Sequence, residues 1–582
     1  MPDAAPTVEG RRLSVAVLAG WAVPVRFSTE GLTRLLGFLV QGAAESGRVT
    51  FHVCVRPVNM ASARAMLESL RAREGLDWTL HAIEGAHDVA AAGGMTVASA
   101  GAGATGRLLG VPDKRIARWL FAAGVVGTPL LMARALLRPV WRFAWQHGLR
   151  VSVAAARDPV GAAPEVAVGL RRLRAPVFRR WADELERWSK ERRLTEAVGM
   201  EMGDDAQDQP GPENAPAQAF EEPNWRVPSL TQPVDAWLSL FASHLVPAAL
   251  PGRRAMIFAD ALALDFGASM NPADLGPGGA LHQWFLDVRR NLTRCDTVVT
   301  FSRHVAVRHA VDGMDAEPDR IAIVPHAPPD LSADLPFLPA SRRRTPESRA
   351  EAAQLLRQHA AKRRWRYLAD FPLEHVDYIA MSTQERPSKN LSAAVEAVRI
   401  LVQERHGSTK LLMTTPLVSD AATPYLRIAA KVRRDGLALD ALSVPGLPAA
   451  EHAALYHAAA LTVHPAFFEG GDAPFPFAES VSVGTPCLMA RGPHTEELLE
   501  SYPSLEPFIF DPYDPEALAD LIERSIPQRD AILDVQLAAY SRMQERRWAT
   551  VAEEYASAAT GTPLVPVRRL RTTALAKSAG DD

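Results

Sequence analysis

His464–Pro486 reads HPAFFEGGDAPFPFAESVSVGTP. The apolar run Ala460–Val463 before it predicts a short buried strand. Two acids, Glu469 and Glu479, bracket a Gly/Pro-rich loop, and the loop runs into a short helix that stops at Gly484 and Pro486. Gly470 and Gly471 allow close approach of the backbone to a ligand, and Pro476 opens a helix without wasting an N–H. A helix start presents unpaired N–H groups and the positive end of the dipole, so it attracts anions. Carboxylates beside it accept hydrogen bonds from hydroxyls. Taken alone, the pattern also fits a βα turn with two solvated acids. An anion-seeking helix end between two hydroxyl-seeking acids suggests a site for a nucleotide sugar.

About 80 residues upstream lies a second segment of the same kind. His375–Met381 predicts a strand, and Ser382–Asn390 (STQERPSKN) leads into an amphipathic helix over Asn390–Val402. Arg386 and Lys389 thus stand at a strand's carboxyl end beside a helix N-terminus. Cations there oppose the dipole unless an anion is bound as well. A diphosphate would supply it, gripped by the Arg fork and the Lys point charge.

Together these segments resemble glycosyltransferase family 4. Phe468-Glu469-Gly470, Pro476-Phe477-Ala478-Glu479 and Gly484-Thr485-Pro486 match its signature, with a longer spacer between the acids. Arg386-Pro387 with Lys389-Asn390 matches its R-P-x-K-N form, and Ile509–Pro512 its final F-D-P strand. The resemblance implies an α/β GT-B fold, two Rossmann-like domains facing across a cleft, and a retaining, metal-independent enzyme. It implies Arg386, Lys389 and Glu469 as catalytic residues. Glu479 would hold the ribose, while Gly470, Gly471, Asp472 and Ala473 face the donor sugar and its phosphates. Asp472 equally suits a turn-former. No cofactor is implied beyond the nucleotide-diphosphate sugar itself.

The N-terminal part reads as βαβ: strand Leu13–Leu18, a loop, a helix near Glu30–Ala43, and strand Val49–Val55. Gly31 then falls at the carboxyl end of the first strand, where open α/β sheets bind ligands, and is a further donor-side candidate. Regular order resumes at Asp235. Strand Arg254–Phe258 ends at Ala259-Asp260, and strand Thr297–Phe301, a helix from Ser302 and Ile321–Pro325 follow. The resembled family has a His-Asp pair where this chain has Ala259-Asp260, so Asp260 and His326 are the acceptor-side candidates. The expected division is a first domain over 10–335, a nucleotide-sugar domain over 346–535, a closing helix over 536–560 and a tail over 561–582. Thr345 with Pro346 caps the helix that opens the second domain.

Between the first two parts, Gly85–Pro223 reads as a helical and disordered insertion. Its apolar run Trp119–Ala133, fringed by Arg115, Arg118, Arg134, Arg138 and Arg142, is too short to span a bilayer. It suits either a membrane interface or a buried helical hairpin.

At 582 residues the chain is too long for one domain, and its 47% hydrophobic content supports full cores. A net charge of −3 gives no reason to expect nucleic acid as a partner. Cys54, Cys295 and Cys487 match no metal or redox spacing. The N-terminus lacks the apolar core of a signal peptide. The expected partners are a nucleotide-sugar donor and a glycan or lipid-linked acceptor. The expected location is cytoplasmic, with peripheral contact to the inner membrane face through Trp119–Ala133 and a role in bacterial cell-surface polysaccharide synthesis. Two other classes share the scaffold: a non-catalytic sugar-nucleotide or glycan-binding protein, and a GT-B epimerase or phosphorylase.

Overall fold

The computed structural model describes residues 12–21, 27, 31–71, 78–84, 225–244, 250–266, 280–417 and 427–570. The Gly85–Pro223 insertion and its Trp119–Ala133 run lie outside them.

The first part begins with β1 (Leu13–Ala19), α1 (Gly31–Ser46), β2 (Val49–Val55), α2 (Met60–Arg71) and β3 (Thr79–Ala82). It continues with β4 (Ala236–Ser239), β5 (Arg253–Ile257), α3 (Ala263–Phe266), α4 (Ala280–Arg294), β6 (Thr297–Thr300), a π-helix (Val305–Gly313) and β7 (Ile321–Ile323). The second part holds α5 (Pro346–Lys362), α6 (Arg366–Ala369), β8 (Tyr378–Met381), α7 (Leu391–Arg399), β9 (Lys410–Met413), α8 (Ile428–Arg434) and β10 (Ala441–Ser443). Then come α9 (Ala449–Ala458), β11 (Leu461–His464), α10 (Phe475–Ser482), β12 (Cys487–Ala490), α11 (Pro493–Ser501), β13 (Ile509–Phe510) and α12 (Pro515–Ser525). The described residues close with α13 (Arg529–Met543), α14 (Trp548–Thr560) and β14 (Arg568–Arg569).

Two parallel sheets result. Among the described residues the first has the order β14-β7-β6-β5-β4-β1-β2-β3, with the terminal β14 antiparallel, and the second has the order β10-β9-β8-β11-β12-β13. Strands covered on both faces read as unbroken apolar runs, and β4, β6, β8, β11 and β12 are buried along their whole length. The chain returns to its beginning: Trp548, Val551, Ala552, Tyr555 and Ala556 of α14 pack into the core of the first sheet beside Leu36, Leu39 and Val40 of α1. This is the α/β fold that the sequence implied, two Rossmann-like sheets. Loops at the carboxyl ends of their strands meet, as where Ser302 after β6 donates to the Gly470 carbonyl after β11 at 2.9 Å.

Each sheet has one place where the strand order reverses. In the first it lies between β1 and β4, and in the second between β8 and β11. Chains diverge there, leaving a crevice at the carboxyl edge, the ordinary ligand position of an open α/β sheet.

Some boundaries differ from the sequence reading. His375 does not begin β8; its N–H donates to the Pro372 carbonyl in a turn. The helix expected over Asn390–Val402 is α7, followed by a π turn over Ile400–Glu404, because the amphipathic pattern cannot distinguish the two hydrogen-bond periods. The Thr345 cap forms as read, accepting from the Ser348 N–H. Among the described residues no helix is long and apolar enough to cross a membrane.

Candidate functional site

The reversal between β8 and β11 brings the two quoted segments together, since the loops leaving neighbouring strands share one crevice. Lys389 Nζ lies 2.5 Å from Glu469 Oε1, and His464 Nε2, at the end of β11, lies 2.9 Å from the same oxygen. His464 is buried, while Lys389 and Glu469 are each partly open. Burial alone would raise the Glu469 carboxyl, but the Lys389 ammonium and the His464 imidazole outweigh it and hold it well below the usual carboxylate range. Behind His464 stands His494, near the start of α11, with ring centroids 6.1 Å apart. Neither ring nitrogen of His494 has a hydrogen-bond partner among the described residues. Burial, helped by the other imidazole, pushes it down to about 3 and so keeps it neutral. Arg386, on the same loop as Lys389, is exposed and donates to Gln384 Oε1 at 3.0 Å.

Glu479 lies on α10 and is only 1% exposed. Its two oxygens have different partners: Oε1 accepts from Arg34 of α1, and Oε2 accepts from the Tyr456 hydroxyl of α9 at 3.2 Å. Burial opposes ionisation, but Arg34 prevails and the carboxyl stays below its ordinary value. Next to them His452 Nε2 sits 2.8 Å from Ser382 Oγ at the end of β8. Arg34 belongs to the helix that leaves β1, so the reversal points of both sheets meet at Glu479.

The glycine loop lies between these groups. A Cβ on Gly470 would approach the Ala259 carbonyl to 2.5 Å and Asp260 Oδ2 to 3.7 Å, so the missing side chain lets the signature loop lie against the end of β5. The donor-side and acceptor-side candidates Gly470 and Asp260 are therefore neighbours. Gly471 makes no close approach, and Ala473 packs against the second core. Gly31 is the exposed first residue of α1, where a Cβ would meet nothing within 4 Å. His326 sits among rings. Its centroid is 4.3 Å from Phe301, 5.6 Å from Phe475 and 5.9 Å from Trp548, and its Nε2 is 3.4 Å from the Tyr555 hydroxyl. Burial, helped by Arg546, pushes it down to about 3, so it is a neutral ring in an aromatic box.

Asp472 is raised to about 6, first by burial and then by Glu497. Between the ordinary aspartate range and about 6, the folded chain binds this proton more readily than the unfolded chain. Stability therefore falls as pH rises through that window. Replacing Asp472 with Asn is expected to raise the melting temperature at about pH 7.5, with the gain shrinking toward pH 4.5. Thermal unfolding of both proteins at the two pH values checks this, and equal melting temperatures at the higher pH would contradict it.

Sequence reasoning missed Arg34, Tyr456, His452, His464 and His494 as site members. It also missed a cluster in the first part. Asp265 Oδ2 lies 2.8 Å from His309 Nε2 and 3.4 Å from His304 Nε2. The two histidines meet because i→i+5 bonding in the π-helix brings residues five apart onto one side, which an α-helix does not. Phe468, beside Glu469, packs on both rings at 5.7 and 5.2 Å. The trio has the residue types of a metal site, but His309 Nδ1 accepts the Ala261 N–H at 3.1 Å. Its proton is therefore on Nε2 and is given to Asp265. A cation on Nε2 would force the proton onto Nδ1, against the Ala261 N–H. The cluster is a hydrogen-bonded relay whose donor set does not suit a cation.

No family model matches the chain, and no curated protein does. Among solved structures, it is similar to HepE from Anabaena in complex with UDP-glucose, with a TM-score of 0.49 and 10% identity over 94% of this chain and 99% of that one. It is similar to sucrose-phosphate synthase from Thermosynechococcus elongatus, with a TM-score of 0.45 and 12% identity over 94% and 98%. It is also similar to the N-terminal domain of Candida albicans trehalose-6-phosphate phosphatase, with a TM-score of 0.49 and 10% identity over 96% and 99%.

Proposed function

We propose that the chain is a retaining GT-B glycosyltransferase of the family 4 type, moving a sugar from a nucleotide diphosphate to a glycan or lipid-linked saccharide. The observation that carries this reading is the convergence of Lys389, Glu469 and His464 at the reversal point of the second sheet. In this reading Lys389 and Arg386 take the diphosphate. As the bond to the sugar breaks, negative charge builds on the leaving phosphate, and Lys389 meets it without reorganising. Glu469, kept ionised by its two partners, accepts hydroxyls of the donor sugar. Asp260, beside Gly470, and His326 belong to the acceptor side. The acceptor hydroxyl attacks from the face the phosphate leaves, and the phosphate oxygen takes its proton. Meeting of the two sheets keeps water from the donor.

HepE is described as a complex with UDP-glucose, which makes uridine sugars the first donors to try. A panel of nucleotide sugars, scored for thermal stabilisation and for slow hydrolysis without acceptor, tests the class and names the donor together. Binding without any hydrolysis or transfer would favour a non-catalytic binding protein, and conversion of the sugar without acceptor would favour an epimerase.

Within this reading Glu479 takes the ribose. Glu479→Gln is expected to weaken nucleotide diphosphate binding about 10-fold, the scale of losing charge-assisted hydrogen bonds. Titration calorimetry measures it, and an unchanged Kd would remove Glu479 from the nucleoside pocket.

A further inference from the structure

Glu479 is already occupied, and its two occupants differ in kind. Tyr456 comes from α9, in the same part of the chain as Glu479, is fully buried and approaches Oε2 at 3.2 Å. Arg34 comes from α1, in the other part, reaches Oε1 with one guanidinium nitrogen, and keeps 31% of its side chain exposed. Its guanidinium carbon lies 5.8 Å from the centre of the Phe475 ring, at the start of α10. The Arg34 side chain is long and flexible and can return to water, whereas Tyr456 cannot leave without opening the core. The carboxylate therefore has one fixed donor and one exchangeable donor.

We propose that Arg34 is a competitor for the nucleoside pocket: it fills the place on Glu479 that the ribose hydroxyls take, and the donor must displace it. This deepens the donor reading above and rests on it. The ion pair fastens α1 of the first sheet to α10 of the second, so displacement also frees α1 at its first turn. Nucleotide entry and the link between the sheets then draw on one carboxylate oxygen, and the apparent affinity is reduced by the fraction of molecules in which Arg34 holds it.

The test compares the wild-type chain with Arg34→Ala at about pH 8, which favours the ionised form of a carboxyl group. The probes are UDP, GDP and ADP and their 2′,3′-dideoxy counterparts, measured by calorimetry. Arg34→Ala should bind the ribonucleotide that the wild type binds about 5-fold or more tightly, and should gain nothing for the dideoxy form. A second measurement needs no variant: in the wild-type chain, amides 31–36 of α1 should exchange hydrogen faster when that nucleotide is added. Equal or weaker ribonucleotide binding by Arg34→Ala overturns the proposal, as does an equal gain for the dideoxy form. If Arg34→Ala does not fold, the amide measurement decides alone, and unchanged exchange overturns it. If the wild-type chain binds none of the three nucleotides, the donor reading falls and the competitor falls with it. Wild-type binding without the Arg34→Ala gain removes the competitor only.

Discussion

Replacing Lys389 with alanine is expected to lower turnover about 100-fold or more, the scale of losing one charged contact made chiefly in the transition state. The argument starts from position. Lys389 ends a short 3₁₀ turn, Pro387–Lys389, held at the carboxyl edge of β8 directly before α7. Its ammonium meets Glu469 from the loop after β11, and β8 and β11 are neighbours only because the strand order reverses between them. A cation at this place serves a leaving diphosphate more than an intact donor, since charge grows as the bond breaks. The loss should fall on kcat, with a smaller change in KM for the donor. Lys389→Arg should recover part of the rate, because it keeps the charge but not the compact ammonium that fits beside Glu469. Steady-state kinetics with the donor and acceptor found by screening measures both. A kcat within twofold of wild type would take Lys389 out of the transition state.

The same geometry explains what the sequence made legible. Strands β6, β8 and β11 are short runs buried along their whole length, and such runs announce themselves without any tertiary knowledge, although β12, buried in the same way, went unread. Lys389 and Glu469 were also readable, because each sits on a strand–loop–helix unit whose local grammar is strong. Arg34 was not. It is one polar residue on an amphipathic helix, and its partner lies 445 positions away. Only the strand order of both sheets makes them meet. Tyr456 and His464 looked like ordinary members of a buried helix and a strand end, and nothing local marks the carboxylates they face. The box around His326 needs Trp548 and Tyr555 of α14, which return to the first sheet from the far end of the chain. The His304–His309 pair was hidden for a different reason: helical periodicity predicts opposite faces, and one π turn reverses that.

Gly484→Ala is expected to be the most damaging single substitution in the signature segment, through stability rather than chemistry. Gly484 has φ +82°, a region that strains any residue with a Cβ. A Cβ there would also fall inside the van der Waals boundary of the Arg342 carbonyl oxygen. That oxygen is backbone, so no rotamer change can relieve the clash. Nor can the turn move freely. The Gly484 carbonyl accepts from buried Arg529 Nη2 at 2.6 Å, its N–H reaches the Val481 carbonyl at 3.0 Å, and the next residue, Thr485, donates to the Tyr456 carbonyl at 2.7 Å. Strain and overpacking together place the cost at about 4 kcal/mol or more, enough to unfold a chain of ordinary stability at 37 °C. Gly31→Ala is the matched control: its Cβ meets nothing and its φ is not positive, so its melting temperature should stay close to wild type. Soluble yield and thermal unfolding of the two variants measure the contrast. If Gly484→Ala melts within a few degrees of wild type, the turn after α10 does not have this geometry. If the contrast holds, the closing Gly-x-Pro of the segment fixes where α10 ends, and with it the last turn, which carries Glu479 to Tyr456 and Arg34. The glycine then shapes the site without touching anything bound in it.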